Sequence, residues 1–361
     1  MNKDLVQDHF GRFYEIPDYL SRQGHNIQLV CHNYRDGAET EISERPGFMI
    51  ASWNLGREPL TGFWRHYMQL DKLVEAARPD LIIAASDCYQ IIIGAAVARH
   101  YSIPYLVDLY DNFASYKASR VPGILPLFSR ALQRANVITV VSEPLRQQVN
   151  AKYSTAGNLH VIENATSSIF TVKHDRQASR QLFGFASDRI YLGMAGDLSP
   201  DKGVDTLMQA FLQIAGKNDI VNLVLAGHRD KHLKIPDSGR VHLLGMLPHT
   251  DIPLLFSALD LGAVCIRDDD FGRYCFPQKF YEMVACGLPI VASAVGEMKN
   301  MLPTQPELLF RADDAVDLER AMRYQLQHRR VVSLPIPTWQ MQANKFDRII
   351  QETVSKDSTA L

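Results

Sequence analysis

Two short stretches of this 361-residue chain carry residue types suited to a phosphate-bearing ligand. The first is Gly196-Asp197-Leu198-Ser199-Pro200-Asp201-Lys202-Gly203, set between an apolar run ending at Ala195 and a helix-forming run from Val204. A glycine at a strand end lets the backbone approach a ligand closely, and a helix N-terminus offers unpaired N–H groups to an anion. Lys202 adds a point charge suited to phosphate oxygens. The same pattern also describes an ordinary strand-to-helix loop with a surface lysine. The second stretch, Cys275 to Ser293, contains Pro277-Gln278-Lys279-Phe280-Tyr281-Glu282. Pro277 suits a first helical turn and Gly287 the position past its end, and Pro289 then opens a short buried strand. Lys279 and Glu282 are three residues apart, hence neighbours on one helix face. A carboxylate there can accept hydrogen bonds from paired sugar hydroxyls, and the plainer alternative is a surface ion pair.

Asp108 and Asp111 form a third candidate group, flanking Leu109-Tyr110 at the end of an apolar run. Either carboxylate could orient an acceptor hydroxyl or act as its base. A helix cap or a hydrogen-bonded loop residue accounts for them equally. His9, His25 and His32 fall near the same edge, and none has metal-ligand spacing with another.

Such groups need strands and helices to place them. In the first half, strands are expected at Ile27–Cys31, Leu81–Ala85, Tyr105–Asp108 and Val137–Val141. Between them lies a clear amphipathic helix, Gly62 to Arg78, with Phe63, Tyr67, Leu70, Val74 and Ala77 at helical spacing. The second half repeats the alternation, with strands expected at Tyr191–Ala195, Asn222–Ala226, Val241–Leu244, Leu261–Cys265, Pro289–Ala292 and Leu308–Phe310. Strands alternating with helices imply parallel pairing, so the fold class is α/β with two Rossmann-like doubly wound domains facing a cleft. The polar stretch Asn164 to Asp188 reads as a linker, and Thr338 to Lys356 as one amphipathic helix. Nothing ahead of Gly11 offers the central strand with which such a domain begins, Leu5-Val6 being the only apolar pair there. A complete first domain would want roughly ten more residues before Met1.

Composition narrows the function. Apolar residues make up 46% and charged residues 22% of the chain, which is globular material for two cores. A net charge of −2 gives no general attraction to nucleic acid. The five cysteines are odd in number and include no Cys-x-x-Cys pair, which argues against a disulfide framework or a zinc ribbon and for a reducing cytoplasm. The N-terminus lacks an apolar signal region, and Leu81 to Ala98 is too interrupted by polar residues to read as a membrane span. Lys117, Arg120, Arg130 and Arg134 surround Val121, Ile124, Leu125, Leu127 and Phe128. A helix packed on the sheet explains that pattern, and so does peripheral contact with the inner face of an anionic membrane.

The ordered set Gly196…Lys202-Gly203, Leu225-Ala226-Gly227, Val241…Gly245, Leu255…Asp260 and Glu282…Gly287-x-Pro289-x-Val291-Ala292 resembles the C-terminal half of GT-B-fold glycosyltransferases, family 4 in particular. Gly11 ahead of a helix, Gly24-His25, Ser142-Glu143 and Val161-Ile162-Glu163-Asn164 with Phe170 match the N-terminal half more loosely. The resemblance implies transfer of a sugar from a nucleotide-diphosphate donor to a glycan or lipid-linked acceptor in cell-envelope polysaccharide synthesis. It implies retention of anomeric configuration, and neither a catalytic metal nor another cofactor. Residues 1–165, completed by helix 338–356, would form the acceptor side, and residues 166–337 the donor side. Gly196 and Lys202 would then contact the diphosphate, Glu282 the ribose hydroxyls, and Gly11, Gly203 and Lys279 would complete the donor set. Three positions depart from the pattern: Tyr274 where a first glutamate is usual, Asp197 where an arginine is common, and Asn164-Ala165 in place of Asn-Gly. The run Asp268-Asp269-Asp270 either reaches in to replace the missing carboxylate or is a solvated loop. Two other functions share this architecture, a nucleotide-sugar epimerase and a catalytically silent nucleotide-sugar-binding partner.

Overall fold

The alternating runs of the sequence become two α/β units in a computed structural model that describes residues 5–33, 40–54, 59–155, 158–171, 173–236 and 238–358. The side chain of Phe63, part of the expected helical stripe, lies outside the described set. Unit 1 comprises Met1–Ala165 with Pro337–Leu361, and unit 2 Thr166–Ile336.

Unit 1 runs α1 (Arg12–Arg22), β1 (Ile27–Asn33), β2 (Thr40–Arg45), β3 (Phe48–Asn54), α2 (Pro59–Ala77) and β4 (Ile82–Ala85). It continues with α3 (Cys88–Tyr101), β5 (Tyr105–Leu109), α4 (Ile124–Arg134), β6 (Val137–Val140), α5 (Glu143–Tyr153) and β7 (Leu159–Val161). Strands β4-β5-β6-β7 form a parallel sheet in chain order. A second sheet, β1-β3-β2, pairs β1 with β3 in parallel and closes β2 against β3 as an antiparallel hairpin. Every residue of β5 and β6 is buried, as expected of parallel strands covered on both faces. Edge strand β4 is mostly half-buried, and edge strand β1 is half-buried along most of its length. Among the described residues no strand precedes α1. Leu5 instead sits in a turn and packs on Phe48 and Ile50 of β3.

Unit 2 runs α6 (Arg176–Leu182), β8 (Ile190–Ala195), α7 (Val204–Ala215), β9 (Val221–Ala226), β10 (Val241–Gly245) and α8 (Ile252–Ala258). After these come β11 (Leu261–Val264), α9 (Gln278–Ala285), β12 (Ile290–Ser293), α10 (Glu297–Met301), β13 (Leu309–Phe310) and α11 (Ala315–His328). Its six strands are all parallel in the order β10-β9-β8-β11-β12-β13. Leu192, Met194, Leu223, Leu225 and Val291 of the strands meet Phe211 of α7 and Met322 of α11 in the main core. Chain order reverses on either side of β8, so the switch point, where open sheets leave a crevice beyond their carboxyl ends, lies between β8 and β11.

The stretch expected as a linker is largely structured. Ser168–Thr171 forms a 3-10 turn with Phe170 fully buried, and α6 is fixed in unit 2 through the buried Arg180. Arg180 donates to Asp260 at 2.6 Å and to the Ala258 carbonyl at 3.1 Å. The polar composition is that of a helix anchored by ion pairs, which hydropathy cannot distinguish from a connector.

The final helix, α12 (Trp339–Ser358), belongs to unit 1, where Trp339, Ala343 and Phe346 pack against Ile16 and Leu20 of α1. Its polar side adds His25 Nε2 to Asp347 at 2.6 Å, which gives His25 a structural partner. Trp339 is 2% exposed, so Trp339→Ala should lower the stability of unit 1 by about 3–5 kcal/mol, read from its denaturant-unfolding midpoint.

Candidate functional site

The crevice of unit 2 begins where β8 and β9 end. Gly196 and Gly227, each the residue after its strand, have φ of +137° and +135°. A Cβ on Gly227 would lie 1.7 Å from the carbonyl oxygen of Gly196, so backbone passes directly over backbone. A Cβ on Gly196 would meet the Lys279 side chain at 3.5 Å. The glycine of the first motif and the lysine of the second, more than eighty residues apart in sequence, therefore share one place.

Two helices point their N-termini toward the strand ends on either side of the switch point. Helix α7 starts at Gly203, at φ +67°, with no side-chain cap, and a Cβ on Gly203 would stand 3.0 Å from the Cβ of Cys265 just past β11. Helix α9 starts at Pro277, also without a side-chain cap. Asp87, Ser142, Asp175 and Asp314 cap α3, α5, α6 and α11 by accepting first-turn amides, whereas α1, α4, α8 and α10 also start without a side-chain cap. Uncapped first turns keep N–H groups and the positive end of the helix dipole available to an anion.

The charged side chains are held by the loop between β11 and α9. Lys202 Nζ lies 3.7 Å from the centre of the Phe271 ring, a cation–π contact. Arg267 ties this loop to the first motif, donating to the Pro200 carbonyl at 2.6 Å and to Asp205 at 2.8 Å. The acidic run serves its own turn. Asp268 pairs with Arg273 at 2.6 Å, and Asp269 accepts from the amides of Phe271 and Gly272 at 3.0 and 2.7 Å. Asp270 is exposed and 3.9 Å from Arg273, so the run has the contacts of a solvated turn. Asp197 is half exposed and lies 3.6 Å from His228 Nδ1.

Glu282 is 1% exposed, which is not how a surface ion pair behaves. Its Oε1 accepts from Gln278 at 2.8 Å and its Oε2 from Lys279 Nζ at 3.1 Å. Lys279 itself is 41% exposed, so a buried carboxylate steers an open ammonium. Gly196, Lys202, Gly203, Lys279 and Glu282 are thus gathered in unit 2.

Gly11, Asp108 and Asp111 belong to unit 1. Gly11, at φ +80°, precedes α1, and its neighbour Arg12 is buried against Asp108. Arg12 donates Nε to Oδ2 at 2.8 Å and Nη2 to Oδ1 at 2.7 Å, and Thr139 donates to Oδ1 at 2.6 Å. Asp108 is 5% exposed and forked by a guanidinium, and the pair holds α1 to the sheet. Asp111 is likewise enclosed, accepting from the Asn112 amide and the Tyr116 hydroxyl, both at 2.9 Å. These contacts are those of a hydrogen-bonded loop residue.

Sequence reasoning did not find the histidine pair formed by His32 near the end of β1 and His66 within α2. His32 and His66 stand edge to face with ring centres 4.0 Å apart, beside Trp53 of β3, and Gln90 meets His32 Nδ1 at 2.8 Å. Burial pulls His32 down to about 4, and burial together with His32 pulls His66 down to about 3. Separations of 34 residues between the rings leave no local signal for the pair. Among the described residues no three histidine, cysteine, aspartate or glutamate side chains form a metal cage.

A parallel sheet with an anion-suited crevice at its switch point, joined to a second Rossmann-like unit that reclaims the last helix, defines the GT-B class of fold. Residues 12–165 match the model of the glycosyl transferase 4-like domain, and residues 189–328 that of glycosyl transferases group 1. The chain belongs to the group 1 glycosyltransferase family. It is similar to sucrose-phosphate synthase from Thermosynechococcus elongatus, with a TM-score of 0.70 at 19% identity over 94% of this chain and 88% of that one. It is also similar to HepE of Anabaena in complex with UDP-glucose, with a TM-score of 0.68 at 18% identity over 97% and 95%. These two likenesses concern the fold. D-inositol 3-phosphate glycosyltransferase of Mycobacterium tuberculosis is 33% identical over 133 residues, 34% of this chain and 26% of that protein. The match thus spans about a quarter of that relative's length.

Asp108→Ala leaves Arg12 buried without its carboxylate and should cost about 3–5 kcal/mol, with much of the loss recovered in Arg12→Met/Asp108→Leu, both read from urea unfolding. The histidines give a pH dependence of defined sign. Below about 6.5 the unfolded chain takes up protons that folded His32 and His66 refuse, so stability falls as pH drops from about 6.5 to about 4. His66→Phe should flatten that limb in unfolding midpoints measured across the same range.

Proposed function

We propose that this protein is a retaining, metal-independent glycosyltransferase that moves a sugar from a nucleotide-diphosphate donor to a hydroxyl of a glycan or lipid-linked acceptor. The observation that carries the reading is the convergence of Gly196, Lys202, Lys279 and two uncapped helix starts at one switch point. When the glycosidic bond of such a donor breaks, negative charge grows on the departing diphosphate. Two ammonium groups and fixed backbone amides are suited to receive it without rearranging, which is electrostatic preorganisation. Close backbone approach at Gly196 leaves room for phosphate oxygens, and the buried Glu282 holds Lys279 in reach; a role for Glu282 toward ribose hydroxyls is carried over from the family. Retention is carried over from the family, as is the acceptor role of unit 1. HepE was solved with UDP-glucose, which supports a nucleotide-sugar as donor class.

Asp108 and Asp111 are both buried and hydrogen-bonded within unit 1, and this favours two other readings, a nucleotide-sugar-binding partner and a nucleotide-sugar epimerase, neither of which glycosylates an acceptor. A panel of nucleotide-sugars followed by NMR separates these. Slow donor hydrolysis that Lys202→Ala and Lys279→Ala each reduce tenfold or more is expected. Turnover unchanged in both variants would sink the site assignment, and interconversion of donor sugars without acceptor would identify an epimerase.

A further inference from the structure

We infer that the face of unit 1 built by α2, α3 and α4 docks on an anionic lipid bilayer. These helices enclose a groove of about 680 Å3 with an apolar floor that includes Ile92, Ala95 and Leu127 and a rim of Arg99, Arg130 and Arg134. No carboxylate lines it. Many arginines elsewhere hold a carboxylate, Arg12, Arg45, Arg146, Arg180, Arg267 and Arg320 among them. Among the described residues nothing engages Arg99, Arg130 or Arg134 by a hydrogen bond or ion pair. In a chain of net charge −2, three unpaired guanidinium groups around an apolar trough are complementary to an anionic surface with an apolar interior.

Apolar side chains continue the face outward. Trp64 of α2 is 68% exposed and stacks on Tyr67, a lining residue of the groove, at 5.8 Å. Met68 and Leu127 are exposed beside it. A tryptophan and aliphatic chains flanked by arginines are the composition of elements that lie in the interfacial plane of a membrane, the long basic stems reaching back to headgroups. Helix α4 satisfies both readings of its sequence. Phe128 is buried against Tyr153 of α5, while Leu127, Arg130 and Arg134 face the groove and solvent. Among the described residues no helix is long and apolar enough to cross a membrane, so the contact is peripheral.

The full chain provides its own probe. Of its three tryptophans, Trp53 and Trp339 are buried and Trp64 is exposed. Mixed with vesicles of phosphatidylglycerol and phosphatidylcholine, the protein should co-sediment at low salt, shift its fluorescence to the blue and be quenched by brominated acyl chains. Pure phosphatidylcholine should give none of these. Arg99→Ala/Arg130→Ala/Arg134→Ala should keep the wild-type thermal unfolding and partition roughly a hundredfold more weakly, about fivefold for each arginine. Trp64→Ala should abolish the blue shift and the quenching. Absence of vesicle binding, equal binding to neutral vesicles, or wild-type partitioning of the triple variant overturns the inference. So does capture of a soluble polyanion or acidic peptide without vesicle binding. No nucleotide-sugar is present, so failure here is distinguishable from failure of the transfer reading.

Discussion

The crossing of Gly227 over the Gly196 carbonyl is the contact on which the second unit's function depends. Hydrogen bonds lock it from both sides: Gly196 N donates to the Ala226 carbonyl at 2.9 Å, and Gly227 N to the Gly245 carbonyl at 2.7 Å. Three neighbouring strands therefore end together on glycines, and the chain beyond β8 stays paired with the chain beyond β9 through Leu198 and Arg229 before it reaches Lys202. Any side chain at Gly227 would push that loop away from α9 and separate Gly196 from Lys279. Ligand chemistry here begins as a constraint on backbone volume, and charge is added afterwards.

Buried ion pairs divide the labour differently in each unit. In unit 1 the Arg12–Asp108 fork stands at the carboxyl end of β5, the edge where a doubly wound sheet would place ligand groups, and fixes the start of α1. In unit 2 the corresponding cluster lies at the opposite end. Asp260, just ahead of β11, accepts from the Tyr191 amide and Arg180 and pairs with Arg176 and Arg329, which fastens α6 and the end of α11 beneath the sheet. The strand ends above it are left with two lysines, one steered by the buried Glu282 and the other resting on an aromatic ring. Replacing a buried pair with apolar residues is often neutral, so what these pairs secure is placement more than stability.

Legibility from sequence followed the range of the interaction. The parallel strands of unit 2 were readable as unbroken apolar runs, and the expected limits of β8, β9 and β11 differ from those observed by a residue. Hairpin β2–β3 was not anticipated because Thr40–Arg45 is polar on both faces, although Pro46-Gly47 before Phe48 is a turn signal that could have revealed it. Helix α6 reads as a connector in sequence because its attachment is electrostatic. In the site, glycine and lysine were recognisable because backbone proximity and phosphate charge demand those types. The contacts of Asp108 with Arg12, of Lys202 with Phe271 and of His32 with His66 join distant residues, and no local pattern encodes them.

The return of α12 to unit 1 makes unit 2 an insertion between two parts of one domain. A ribosome therefore finishes residues 166–336 before it delivers Trp339 and Phe346, and the first domain to emerge is the last to close. Until then Ile16 and Leu20 lack the partners that bury them, and the nascent chain carries a finished phosphate-suited crevice beside an open apolar seam. Folding from the amino end is the usual order for domains in series. Here the arrival of α12, after the whole of unit 2, sets when the first unit is done.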